Sequence, residues 1–190
     1  MSGKEALEYQ TPPTCELLGL LLKNRRPTGA VNKIWPNLYI GDATTAQNKR
    51  LLEGLGVTHV VNAADGAQHI STGPQFYQDT NIKYHGVEAS DSKDFNLRPF
   101  FSGTTEFIND ALKENGTVLV HCARGISRSA TLVLAFLMIK EHLTLLEAVQ
   151  TVRRHRNILP NAGFLEQLQE LDLYLISQRK TTRVNQLVSA

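Results

Sequence analysis

At 190 residues, 42% of them hydrophobic, the chain suits one globular domain with a sizeable core. Its formal net charge of +2 is too small to argue for a nucleic acid or a membrane surface as partner, and its two cysteines make no disulfide framework. No apolar stretch has the length of a membrane span or the form of a secretory signal, and Ser2 stands where N-myristoylation needs glycine.

Residues 1–13 are polar and end in Pro12-Pro13, which predicts a flexible N-terminal tail. Thr14 then caps a short amphipathic helix from Cys15 to about Lys23, with Leu17, Leu18, Leu20, Leu21 and Leu22 as its apolar residues. Cys15 has no motif neighbour and reads as inert. Val31–Trp35 and Leu38–Ile40 read as paired strands around the turn dipeptide Pro36-Asn37. Thr45 to about Leu55 is helical and stops at Gly54 and Gly56. Thr58–Ala63 is a buried strand, Asp65 to Pro74 a loop, and Ile82–Val87 a further strand.

Asn96 caps a helix to about Glu114, ended by Asn115-Gly116. Thr117–His121 is the next strand, its valine-rich core that of a strand buried on both faces. A helix apolar on nearly all sides runs from Ser129 to about Glu141. Thr144-Leu145-Leu146-Glu147 is a capping box for a helix to about His155, and a last helix runs from Ala162 to about Ile176. Residues 178–190 are polar and read as a flexible tail, leaving 14–177 as the domain.

The chemistry concentrates in His121-Cys122-Ala123-Arg124-Gly125-Ile126-Ser127-Arg128-Ser129, a tight loop between a strand and a helix N-terminus. Backbone N–H groups of such a turn converge on one point, and the helix dipole adds positive potential there. Gly125 allows a backbone conformation that a side chain would oppose. The planar guanidinium of Arg128 can bind two oxygens of a phosphate. In that field the thiol of Cys122 loses its proton readily; comparable sites lower a cysteine pKa from ~8.5 to ~3.5–7.5. Cys122 therefore reads as a nucleophile aimed at phosphorus, with the backbone of Ala123, Arg124, Gly125, Ile126, Ser127 and Arg128 as the phosphate cradle. Ser129 is placed to hydrogen-bond the sulfur and help it leave, and His121 to brace the loop. No metal or cofactor is called for. A nucleophilic thiolate also wants a reducing compartment, so a cytoplasmic protein, or one in the nucleus as well, is expected.

Expelling an alkoxide or phenoxide needs a proton, and a carboxylic acid on a nearby loop supplies it, typically for ~10²–10⁴-fold in rate. The segment after Val87 offers Asp91 and Asp94, with Glu88 as a weaker third. Arg153, Arg154, His155 and Arg156 form a basic cluster that lacks the aromatic interleaving of a nucleic-acid surface and reads as a solvated helix face.

His-Cys-x-x-Gly-x-x-Arg-Ser resembles the phosphate loop of the cysteine-dependent protein tyrosine phosphatases. Ile34–Asp42, Val60–Ala64, Ser129–Val133 and Pro160–Leu165 are similar to the small atypical dual-specificity phosphatases, above all the testis and skeletal-muscle type and the vaccinia-phosphatase-related group. The resemblance spans about Pro12 to about Leu175. It implies a single α/β domain with a central, mostly parallel sheet of about five strands flanked by helices. It also implies hydrolysis of phosphotyrosine and phosphoserine or phosphothreonine on proteins, through a cysteinyl-phosphate and without metal. It selects Asp91 as the acid, would place Arg156 near the pocket rim to receive a second phosphate, and suggests a substrate-side or homodimer role for the N-terminal helix, which by its own residues reads as packing on the domain. The alternative substrate for the same loop is a phosphoinositide or an RNA 5′-phosphate; lipid-directed relatives usually carry lysines in the loop, and here only Arg124 adds charge.

Overall fold

The run before Cys122 is the middle strand of a five-stranded sheet, β5 (Val118–His121), and all four of its residues are buried. The computed structural model describes residues 8–66, 70 and 72–188. Strands β1 (Val31–Trp35), β2 (Leu38–Gly41), β3 (His59–Asn62) and β4 (Lys83–Gly86) complete the sheet in the order β1-β2-β5-β3-β4. Only the β1–β2 hairpin is antiparallel. Its turn holds Asn37 at φ 56°, a left-handed conformation that asparagine tolerates better than most residues. Gly41 and Asn62 both pair with His121, so β2, β5 and β3 end level and Cys122 emerges just beyond their carboxyl edge. That edge is where ligands collect in open α/β sheets.

Helix α6 (Arg128–Ile139) is the hub: every residue from Arg128 to Met138 is buried. It packs against α5 (Phe101–Lys113), α7 (Leu145–Arg153) and α8 (Ala162–Val188). An all-round apolar sequence fits a helix with neighbours on every side. The capping box at α7 is present as expected, with both Thr144 and Glu147 bonded.

Several boundaries differ from the sequence reading. Pro13, not Thr14, precedes α1 (Thr14–Leu22), and the Thr14 hydroxyl donates to Gln169 Oε1 at 3.2 Å instead of capping. The single helix expected over Thr45–Leu55 is two, α2 (Ala43–Ala46) and α3 (Lys49–Gly54), because Asp42 and Asn48 each cap a fresh start. The expected loop to Pro74 closes into a turn of helix, α4 (Gly73–Phe76); residues 67–69 and 71 of that loop lie outside the described residues. Ahead of α5 the chain makes a 3₁₀ turn, Arg98–Phe100, whose first N–H is taken by Asn96 Oδ1 at 3.3 Å.

The last helix runs to Val188, well past its expected end near Ile176. Neither glycine nor proline follows to stop it, and Arg179 anchors it by donating to Met138 O at the end of α6, at 2.9 Å. Of the tail expected over 1–13, residues 1–7 lie outside the described residues, while Tyr9 and Thr11 each donate to the buried Asp172 of α8 at 2.7 Å. Asp172 also accepts from Leu145 N at 3.0 Å, so one carboxylate ties the N-terminal segment, α7 and α8 together.

Candidate active site

The loop between β5 and α6 wraps around Cys122 Sγ. Gly125 N–H donates to the sulfur at 3.2 Å and Ser129 Oγ lies 3.3 Å from it. Burial alone raises the thiol pKa, but the Ser129 hydroxyl and the N–H groups of Ser129, Ile126 and Gly125 outweigh it and hold the thiol below its ordinary range. Gly125 is at φ 67°, and a Cβ there would stand 2.4 Å from Gly41 O. Both conformation and space demand glycine at this bend.

Arg128 is buried beside the loop, with Nη1 donating to Ala89 O at 3.1 Å. Its Nε is buried without a partner among the described residues, a donor that a phosphate oxygen would satisfy. His121 is fully buried, its Nδ1 3.2 Å from Cys122 O. Burial pushes its pKa down to about 4, so the ring is neutral and braces the loop instead of serving as a base near pH 7.

Cys122, Arg128 and Asp91 line one cavity of about 400 Å³. Neither Asp94 nor Glu88 lines it; both are exposed, and Glu88 lies against Gly66. Asp91 Oδ1 accepts from Ser127 Oγ at 2.7 Å and from Asn161 Nδ2 at 2.9 Å. The cavity walls are apolar where Leu18, Ile126, Leu159 and Pro160 face it, a lining suited to a phenyl ring or a short aliphatic chain. Leu18 comes from α1, whose Leu17 and Leu21 are buried in the core, so this helix both packs on the domain and lines the cavity.

Arg156 does not stand at the rim, and this corrects the expectation that it receives a second phosphate. It is 5% exposed and lies beneath the loop. Its Nε donates to Gly125 O at 2.8 Å, Nη2 to Arg124 O at 3.1 Å, and Nη1 to Gly29 O at 2.8 Å and Asn32 Oδ1 at 2.7 Å. With the loop's N–H groups turned inward to the sulfur, its carbonyls point outward and need a donor; the guanidinium supplies it. The basic cluster is only partly a solvated face: Arg154 and His155 are exposed, whereas Arg153 donates to the carbonyls of Leu20 and Lys23 at the end of α1.

The sequence reading assigned Ser127 to the cradle through its backbone; the structure adds its hydroxyl, which joins Asp91 to the chain at Asn161. Asn161, which lies within the resembling segment Pro160–Leu165, has no site role in the sequence reading. Among the described residues no group of three His, Cys, Asp or Glu side chains is placed to hold a metal ion, and no helix is long and apolar enough to cross a membrane.

The model of the dual specificity phosphatase catalytic domain matches residues 38–172, which takes in the loop, Asp91 and Asn161. The chain belongs to the dual specificity phosphatase family. It is an enzyme, a protein phosphatase of dual specificity. It is 50% identical over 170 residues to human dual specificity protein phosphatase 13B, covering 88% of this chain and 86% of that one. The mouse protein of the same name is 49% identical over 178 residues, covering 93% and 89%. The crystal structure of the human tyrosine phosphatase-like serine/threonine/tyrosine-interacting protein superposes with a TM-score of 0.68 at 34% identity, over 77% of this chain and 97% of that one. The α/β fold with a mostly parallel five-stranded sheet is therefore the family's fold.

Proposed function

We propose that Cys122, Asp91, Arg128 and Ser129 carry the phosphatase reaction in two steps. The Cys122 thiolate attacks phosphorus, the S–P bond forms, and the P–O ester bond breaks with its electron pair left on the ester oxygen. Asp91 gives that oxygen its proton. Water then attacks the cysteinyl-phosphate, Asp91 takes a proton from it, and the S–P electron pair returns to sulfur as thiolate. The cradle N–H groups and Arg128 hold the other phosphate oxygens and offset the charge gathering on them. Ser129 donates to the departing sulfur.

The observation that carries this reading is the single cavity shared by Cys122, Arg128 and Asp91. The catalytic unit is taken as residues 14–177, and a reduced, cytoplasmic setting follows from the need for a thiolate. The experiment is phosphate release from a peptide carrying both phosphotyrosine and phosphothreonine, read by mass spectrometry, with Cys122→Ser as the blank. Loss of both phosphates, abolished in the variant, is expected. Release that survives in Cys122→Ser overturns the assignment of the nucleophile.

A further inference from the structure

The loop that carries Asp91 is held from one side by the first turns of α8. Asn161 Nδ2 reaches Asp91, a Cβ on Gly163 would stand 1.9 Å from Lys93 O, and Gln167 bonds both Phe95 O and Leu97 N at 2.8 Å. Asn161 is itself fixed. Its N–H donates to Ser127 Oγ at 3.0 Å, and its Oδ1 accepts from Phe164 N at 3.0 Å, capping the helix. Asp91, Ser127 and Asn161 thus close a triangle, and among the described residues both hydrogen bonds to the Asp91 carboxyl end on Oδ1.

We propose that Asn161 is a positioning residue for the proton transfer: together with Ser127 it holds Asp91 by Oδ1, so that Oδ2 carries the proton to the leaving oxygen. The inference rests on the reading of Asp91 as the general acid. A carboxylic acid carries a single O–H, and an oxygen that already accepts two donors has its lone pairs committed. The proton therefore sits on Oδ2. In the transfer the Oδ2–H bond breaks, the proton joins the ester oxygen as P–O cleaves, and the negative charge left on the carboxylate is met by the Ser127 O–H and the Asn161 N–H. The same two donors keep the carboxylate in place to take a proton from water in the second step.

The test is kcat/KM of Asn161→Ser on a series of aryl phosphates whose leaving phenols run from low to high pKa. Serine keeps an acceptor for Phe164 N and loses the amide donor to Asp91. A misplaced acid matters most where the leaving group most needs a proton. The expected loss is about 10–100-fold for the highest-pKa phenol and under about threefold for the lowest. Combined with Asp91→Asn, the change should cost nothing further, since the two residues act as a unit. A loss of equal size across the series, no loss, or additive losses in the double variant each overturn the proposal. Asp91→Asn alone separates the two readings. If it is selective for poor leaving groups and Asn161→Ser is not, only the positioning role fails; if it is flat, the acid assignment fails and takes this proposal with it. Should the serine variant not fold, Asn161→Thr keeps a hydroxyl acceptor for Phe164 N and lacks the amide donor, and is read in the same way.

Discussion

Arg156 Nε donates to Gly125 O at 2.8 Å, joining the chain three residues past α7 to the glycine bend of the phosphate loop. Removing the guanidinium strands the carbonyls of Gly125, Arg124 and Gly29 together with the Asn32 amide oxygen. Arg156→Met should therefore destabilise the fold by about 2–5 kcal/mol in urea unfolding, and lower activity on every substrate alike. Arg156→Lys should restore little, because one ammonium cannot reproduce a planar fork. A variant of unchanged stability that loses only doubly phosphorylated peptides would return Arg156 to the rim.

Ser129→Ala removes the hydroxyl 3.3 Å from Cys122 Sγ. A hydrogen bond to a charged group is worth about 1.5–3 kcal/mol, so kcat should fall about 10–100-fold where breakdown of the cysteinyl-phosphate limits the rate. The thiol pKa, held down in the native enzyme, should rise. Iodoacetate alkylation followed against pH should show the thiolate appearing at higher pH than in the wild type. An unmoved titration would place the control of the thiol elsewhere.

His121 is buried neutral, its pKa pushed from 6.5 down to about 4. The unfolded chain binds this proton more readily than the native one, so stability from His121 is fully present above about pH 6.5 and is lost as pH falls toward 4. The loss should be on the order of 3 kcal/mol. Urea melts between pH 7 and pH 4 should show that slope, and His121→Asn should flatten it. A slope unchanged in the variant would assign it to other groups.

Gly163→Ala places a methyl against the Lys93 carbonyl, at 1.9 Å before relaxation. The backbone on both sides leaves no flexible side chain to yield, so the Asp91 loop must move away from α8. Hydrogen exchange at residues 91–97 should speed up, while residues 118–122 stay protected. Equal protection in both proteins would show that the loop is held by other contacts.

Much of the site is legible in the sequence because it is local. Cys122 to Ser129 is one strand end, one turn and one helix start, and each part has a residue signature: a buried valine run, a glycine at positive φ, an apolar helix. The β1–β2 hairpin was readable for the same reason, its Pro36-Asn37 turn lying between the strands it joins. The long α8 was not. Its tail carries no apolar stripe, and what holds it is an arginine reaching the end of α6, 41 positions away in the chain.

By itself the sequence pointed to Cys122 as nucleophile and Arg128 as phosphate ligand, and carried the α/β class and the family resemblance, since those depend on residues within a few positions of one another. Its chemistry left Asp91 and Asp94 open with Glu88 weaker, the resemblance alone selecting Asp91, and it read Arg156 as part of a solvated helix face. Only the tertiary structure shows what these side chains meet. Asp91 meets Ser127 and Asn161 across 36 and 70 positions, and Arg156 meets Gly125 across 31. A side chain's partner over such distances depends on how helices pack around the sheet, and residue type reports only that a partner is needed.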